Sequence, residues 1–356
     1  MPKSPARKKK TPKKGSNKRV SKKKKIRQEK LKKFLTIFSL VFLSATFLSG
    51  YLFYKKITQE YASAFSTSSR DLLSKELYSS AFIVVDNFDD ELLLVRKLSL
   101  YVFDKSTLKT IVYEIPVDIV IDAPGRFGEE PLSNILALGT LDNESLSEGG
   151  HIVANSIFKL FAFPVDRYML VESEAESAIE SLYNGRLEVS SSTDILQLKE
   201  MIFTDHTLRE LFDIYKFASS LPQDRILHTQ IGESYLSNPS LLDEELMDLT
   251  FDLVLSKEKK SIAVLNGTEE SGVATFGTRV IRNFGGRVVA TGNTRDSYEN
   301  SILIVDDLTA ESTRIISEIF GIDNIILYSD IRGFSESEVN RSDITIIFGL
   351  DFAGLL

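Results

Sequence analysis

Residues 34 to 54, FLTIFSLVFLSATFLSGYLFY, form a run of 21 residues without a charge, and no other feature constrains the chain so strongly. At about 1.5 Å of rise per residue, a helix of this length crosses the roughly 30 Å hydrocarbon core of a bilayer. The run therefore predicts one transmembrane helix. Before it stand 17 Lys or Arg and a single acid, Glu29; just after it stand only Lys55 and Lys56. The excess of positive charge on the N-terminal side predicts a cytoplasmic N-terminus, with everything from Ile57 onward outside the membrane. A cleaved signal peptide is the rival reading, since small residues occur at Ser44, Ala45 and Ser49. The apolar run is longer than the roughly 7 to 15 residues of such a peptide's core.

Charge divides the chain the same way. The formal net charge of -7 is the sum of +16 over residues 1–33, +2 from Lys55 and Lys56, and -25 over residues 57–356, where 24 Lys or Arg face 49 acids. The 1–33 tail has too few apolar residues to offset its ordering entropy and is expected to be disordered. Its charge suits anionic lipid headgroups at the inner leaflet, or a topology signal without a partner. No helix-turn-helix or zinc pattern accompanies it, so no specific nucleic-acid partner is expected. The acidic remainder argues against nucleic acid or anionic lipid on the far side. With no cysteine there are no disulfides and no thiolate chemistry, so the exported part depends on its core.

Beyond the membrane segment, residues 55–80 read as a helical stalk, with Tyr61, Phe65, Leu72, Leu73 and Leu77 near helical spacing. From Ala81 the pattern turns to strands, and Leu98–Phe103 should pair with Leu108–Ile115 across the turn Asp-Lys-Ser-Thr. The long loop DAPGRFGEEPLSN follows, the kind of segment in which sites reside. Gly149-Gly150 opens a helix whose inner face holds Ile152, Val153, Ile157, Leu160 and Phe161. A strand follows Pro164, then a helix closed by Asn184-Gly185. A further helix should put Leu208, Leu211, Phe212 and Tyr215 on one face, and a last strand lies near Arg225 to Ile231. Alternating strands and helices predict a layered α/β domain over residues 81–235.

The order of these pieces resembles the extracytoplasmic domain of the LytR-CpsA-Psr family. Its members are membrane-anchored enzymes that attach anionic glycopolymers from a polyprenyl-pyrophosphate carrier to peptidoglycan. The resemblance rests on Glu114-Ile115-Pro116-Val117-Asp118, on Pro124-Gly125-Arg126-Phe127-Gly128 with Leu132-Ser133-Asn134, on Gly149-Gly150, and on Pro164-Val165-Asp166-Arg167-Tyr168. It implies Asp118, Arg126 and Asn134 as remnants of a phosphate or metal site, with magnesium as cofactor if catalysis is retained and no cofactor otherwise. An Asp at a strand end and an Asn in a loop also serve as turn formers. The departures fall on the chemistry. Pyrophosphate transfer needs cations and a metal to neutralise the developing charge. Yet Arg96 stands where the family places a carboxylate, Val117 replaces an arginine, and the later arginine-rich run is represented only by Lys216, Arg225 and neighbours. Residues 57–257 carry 15 basic against 34 acidic side chains, which repels a polyanion. His151, His206 and His228 are too scattered for a local metal motif, and no Gly-x-Ser-x-Gly elbow supports a hydrolase.

A linker over residues 236–259 leads to a second unit, residues 260–356, expected to fold independently as a small α/β sandwich of five strands and two helices. Asn266-Gly267-Thr268 to Gly272 lacks the residues of a Walker or dinucleotide loop. It resembles instead the opening of the C-terminal domain appended to LytR-type proteins, with Gly292-Asn293, Tyr298 and Gly349-Leu350-Asp351 completing the match. That resemblance implies docking or binding, with Asn266, Gly267, Gly272 and Asp351 as partner-binding or structural positions. The expected protein is a single-pass bacterial cell-envelope protein. It would be a non-catalytic relative of the glycopolymer transferases that binds peptidoglycan or envelope proteins, with an active phosphotransferase as the alternative.

Overall fold

The computed structural model describes residues 46, 48–52, 55, 75–125, 127–143, 145–186, 200–232, 235, 238–250, 253–330 and 341–356. The expected tail, most of the expected membrane helix and most of the stalk lie outside the described residues. Residues 46, 48–52 and 55 are helical, and no helix of the described residues is long and apolar enough to cross a membrane. The chain divides into Met1–Gln59 and Glu60–Leu356, and the second unit holds a mixed α/β fold with two main sheets.

Strands β1 (Leu77–Val85), β2 (Lys97–Asp104) and β3 (Lys109–Ile115) form an antiparallel meander, followed by a small hairpin of β4 (Val120–Ala123) and β5 (Gly128–Pro131). Then come α1 (Ile135–Asn143), α2 (Leu146–Phe161), β6 (Arg167–Glu172), α3 (Glu176–Tyr183), β7 (Ile202–Thr204), α4 (Leu208–Ser220) and β8 (Ile226–Gln230). The first sheet has the order β7-β6-β1-β2-β3-β8. Its β2–β3 register pairs Leu98 with Ile115 and Asp104 with Lys109, and the Asp104 carboxylate closes the turn by accepting from the Ser106 and Thr107 nitrogens at 2.9 and 3.0 Å. The hairpin read from the sequence is therefore present.

Three expectations need correction. The first sheet starts at Leu77, inside the segment read as helix. Ser79 and Ser80 suit a polar helix surface, yet both are buried: Ser79 Oγ donates to the Pro164 carbonyl at 2.7 Å, and Ser80 Oγ lies 2.8 Å from His206 Nε2. The loop after β3 is partly a hairpin. On α4 the buried residues are Glu210, Ile214 and Ala218, while Phe212 is 64% exposed. Glu210 turns inward because it closes a capping box with Thr207 and meets the buried Arg167 guanidinium at 3.2 and 3.4 Å. Hydrogen bonding there overrides the apolar pattern.

One face of the sheet is closed by α3 and α4 over Tyr78, Phe82, Tyr101, Phe103 and Tyr183. At this end Tyr78, Ser80 and Tyr183 surround the buried His206, whose pKa burial drives well down. Beside it, Asp205 accepts from the Tyr168 nitrogen at 2.8 Å, and burial pushes its carboxyl up to about 7, well above the usual carboxylate range. A carboxyl whose folded pKa is raised stabilises the fold fully below its unfolded pKa and loses that contribution as pH rises through the folded one. Asp205 by itself is therefore expected to lower stability between about pH 4 and pH 7 by up to about 4 kcal/mol, while the buried neutral His206 acts in the opposite direction below about pH 6.5. Thermal melts of wild type and Asp205→Asn across that range check this; the Asn variant, which keeps the acceptor oxygen, should show a flatter profile. Parallel profiles would refute it.

The other face packs on α1 and α2, and on a second layer. After α5 (Pro239–Thr250) and α6 (Leu253–Glu258) come β9 (Ser261–Asn266), α7 (Val273–Asn283), β10 (Arg287–Asn293), β11 (Ile302–Val305), α8 (Glu311–Phe320), β12 (Ile325–Leu327), β13 (Ile344–Phe348) and the short α9 (Leu350–Ala353). The second sheet, in the order β10-β9-β13-β11-β12, has the five strands expected. One apolar cluster runs through both layers. Phe158 of α2 meets Phe276 of α7 edge-on at 5.0 Å, and Phe163 stacks on Phe284 at 6.2 Å. Arg279 of α7 clamps this contact. Its guanidinium holds Asp243 of α5 at 2.7 to 3.0 Å and donates to the Leu160 carbonyl at the end of α2 at 3.0 Å.

Candidate functional site: the cleft at the carboxyl edge

Strands β1, β6, β3 and β8 run in the same direction, so their carboxyl ends share one edge of the first sheet, together with the start of the antiparallel β2. Ligands of open α/β sheets bind beyond such ends. Here a cleft of about 590 Å³ opens, lined by Arg96, Lys97, Leu98, Glu114, Ile115, Pro116, Val117, Gln230, Ile231, Gly232 and Tyr235. Two of these residues, Arg96 and Val117, are among the positions at which the sequence departs from the pattern it resembles. Behind the cleft, Leu98, Ile115 and Ile231 are buried in the apolar core on the sheet face opposite Lys97 and Glu114.

Each cation of the cleft has a carboxylate partner. Arg96 Nε donates to Asp86 at 2.7 Å and a second guanidinium nitrogen binds the same oxygen, which holds the Asp86 carboxyl below its usual range. Lys97 binds Glu176 at 2.9 Å and also Glu180, both on α3. Burial opposes the Lys97 charge, but the bonds to Glu180 and Glu176 outweigh it and its pKa is raised. Burial, followed by the fields of Glu180, Glu114 and Glu176, raises the Tyr101 hydroxyl, so three carboxylates surround this strand face. Glu114 itself has only distant partners, His228 Nδ1 at 3.5 Å and Gln230 Nε2 at 3.4 Å.

The structure places the expected residues unevenly. Asp118 is exposed in the turn after β3, Asn134 ends the single turn Leu132–Asn134, and Arg126 lies outside the described residues. Backbone bonds lace these segments beside the cleft: Ser133 N donates to Val117 O at 2.7 Å, Leu132 N to Ile119 O at 2.8 Å and Val95 N to Ser133 O at 2.9 Å. Asp118 and Asn134 are thus on neighbouring segments, but neither lines the cleft, and Asn134 Nδ2 reaches only Glu130, at 3.4 Å. Among the described residues, no group of three or more His, Asp or Glu is placed to hold a metal ion. Lys97, Glu114 and Gln230 were not singled out from the sequence as site residues. Polar side chains at Lys97 and Glu114, on strands otherwise almost wholly apolar at their ends, were the available signal.

In the second sheet the motif residues serve the fold. Asn266 Oδ1 accepts from Thr268 N and Oγ1 at 3.0 and 2.8 Å, while its amide donates to the Glu270 carbonyl at 2.7 Å. A side chain at Gly267 would meet the Phe348 carbonyl at 2.7 Å, and Gly272 takes φ +88° just before α7. Asp351 accepts twice from Ser301 N, at 2.9 Å each, and from Ser301 Oγ at 2.7 Å.

Neither a protein-family model nor a curated protein matches the chain. Solved structures do. One solved as TagT bound to LI-WTA is 11% identical, with a TM-score of 0.35, covering 52% of this chain and 96% of its own. TagV of B. subtilis is 10% identical, with a TM-score of 0.34, covering 44% and 85%. A LytR-CPS2A-psr family protein, YwtF (TagT) with bound octaprenyl pyrophosphate lipid, is 11% identical, with a TM-score of 0.34 and coverages of 52% and 96%. It is to solved proteins of the LytR-CPS2A-psr family that this chain is similar.

Proposed function

We propose that the chain is a single-pass cell-envelope protein with residues 34–54 in the membrane and its basic tail on the cytoplasmic leaflet. Its two sheets, spanning the proposed domains 81–235 and 260–356, lie outside, and the carboxyl-edge cleft binds envelope material without transferring phosphoryl groups. The observation that carries the binding reading is the neutralisation of Arg96 and Lys97 by Asp86, Glu176 and Glu180. Phosphoryl transfer relies on cations aimed at the charge that develops on oxygen, and a cation already held by carboxylates contributes little of that field. Among the described residues, no group of three or more His, Asp or Glu converges so as to hold magnesium.

Two measurements test this. Protease added to intact, wall-stripped cells should digest the C-terminal part, and protection of that part would defeat the envelope assignment. Full-length protein in detergent should show no magnesium-dependent binding of a polyprenyl phosphate by calorimetry. Tight magnesium-dependent binding would favour the glycopolymer transferase instead, with Asp118, Arg126 and Asn134 as its candidates.

A further inference from the structure

Buried Glu210, Ile214 and Ala218 define the inner side of α4, so helical periodicity turns Leu208, Arg209, Phe212 and Lys216 outward. Their exposure agrees. Phe212 is 64% exposed and Leu208, one turn before it, 39%, with both cations exposed beside them. The exposed Arg186 stands next to this face at the end of α3, since Gly185 packs against Ser219 of α4. Among the described residues none of these three cations has a carboxylate partner, whereas Arg96 and Lys97 at the other end of the sheet are both neutralised. The two acids of α4 are directed elsewhere: Glu210 is bonded to the buried Arg167, and Asp213 lines a small pocket toward the sheet together with Lys105. The outer face of α4 is thus apolar and positively charged in a domain that is otherwise acidic.

A second copy of the chain answers this face poorly, because it presents the same cations. An anionic bilayer surface answers both properties. Phe and Leu side chains of a helix lying in the interface enter it by about 5 to 10 Å, and Lys and Arg beside them meet the lipid phosphates. The acidity of the domain as a whole does not prevent this, since at physiological salt charges more than about 8 Å apart are largely screened and the cations in contact decide. Helix α4 also begins where the chain enters the sheet. His206, two residues before it, is bonded to Tyr78 and Ser80 near the start of β1. Leu77, the first residue of β1, comes 77 - 54 = 23 residues after Tyr54, a reach of at most about 80 Å. A surface held that close to a bilayer needs little affinity of its own. We infer that the outer face of α4 docks on the anionic phospholipid surface of the membrane that holds the chain, with Phe212 and Leu208 in the headgroup layer and Arg186, Arg209 and Lys216 on lipid phosphates. This inference depends on the proposed membrane segment and not on what the cleft binds.

The chain has no tryptophan, so Phe212→Trp supplies a single reporter. Full-length Phe212→Trp protein is reconstituted into vesicles of equal parts phosphatidylglycerol and phosphatidylcholine, the latter brominated on its acyl chains as a quencher. Its emission should lie further to the blue than in vesicles of phosphatidylcholine alone and lose roughly half its intensity to the bromine. High salt, or Arg209→Ala together with Lys216→Ala, should cut the quenching by about twofold or more. Tryptophan placed instead at the exposed Val289 of β10 should stay unquenched. Quenching that is absent, or equal in the two kinds of vesicle, or equal at the two tryptophan positions, would overturn the inference. So would a blue emission that follows protein concentration rather than lipid, which would assign the face to a second copy. Flotation of the vesicles separates this failure from that of the membrane segment: protein that does not float defeats both, and protein that floats with its tryptophan unquenched defeats only the docking of α4.

Discussion

Replacing Arg279 with alanine is expected to destabilise the folded protein by about 3 kcal/mol, the scale seen when one partner of a largely buried ion pair is removed. Both side chains of the pair are mostly covered, at 21% and 19% exposure, and the guanidinium makes three close contacts with the two Asp243 oxygens. The loss has a second part. Arg279 also donates to the Leu160 carbonyl, and more distantly to that of Lys159, at the C-terminal end of α2, where free carbonyls and the helix dipole favour a cation. Among the described residues, alanine leaves Asp243 with Asn283 Nδ2, at 3.0 Å, as its remaining close side-chain donor. For a protein of this size the melting temperature should drop by roughly 6 to 12 °C. Arg279→Lys should recover only part of it, because one ammonium does not reproduce the planar fork. Thermal melts of wild type and both variants measure this, and a shift under 1 °C for the alanine variant would mean that the phenylalanine contacts alone join the two layers.

Gly185→Ala should be more damaging still, at more than 4 kcal/mol or with no soluble folded protein. Gly185 follows α3 with φ +68°, a conformation that costs an L-residue about 1 kcal/mol or more. A Cβ there would also overlap the Ser219 nitrogen and the Ala218 carbonyl carbon, which are main-chain atoms of α4 and do not turn aside as a side chain would. The end of α3 and the last turn of α4 are therefore packed backbone against backbone over the Tyr101 and Tyr183 core. Asn184→Ala, one residue earlier, should cost much less, because its backbone stays at φ -91°. Expression yield and melting temperature of the two variants provide the comparison. Equal stability would show that α4 can move away without loss.

The Asn184-Gly185 pair also shows what kinds of information the two sources carry. As a helix stop it was legible in the chain, because a C-cap glycine is a local signal. The collision with α4, 33 to 34 residues further on, was not. The same division runs through the site. Lys97 reads in the sequence as a free cation at a strand start, but the acids that neutralise it come from 79 and 83 residues away. Asp118 and Asn134 were chosen by position in a motif, and the structure sets them on laced turns beside the cleft, outside its lining.

By itself the amino-acid sequence determined the alternation of strands and helices, the β2–β3 hairpin, the five strands of the second sheet and the acidic character of everything beyond residue 57, since each depends on periodicity, turn chemistry or composition within short windows. Only the tertiary structure decided that β1 starts at Leu77, that Glu210 of α4 faces inward, that both cleft cations are neutralised and that Arg279 ties α7 to α5 and α2. Arg96 and Asp86 pair while about half exposed, across the connection between β1 and β2, but for β1, Glu210 and Arg279 the physical reason is burial. A buried polar group must find a partner, and that partner is supplied by whichever element packs against it, at a sequence separation that leaves no local pattern to read.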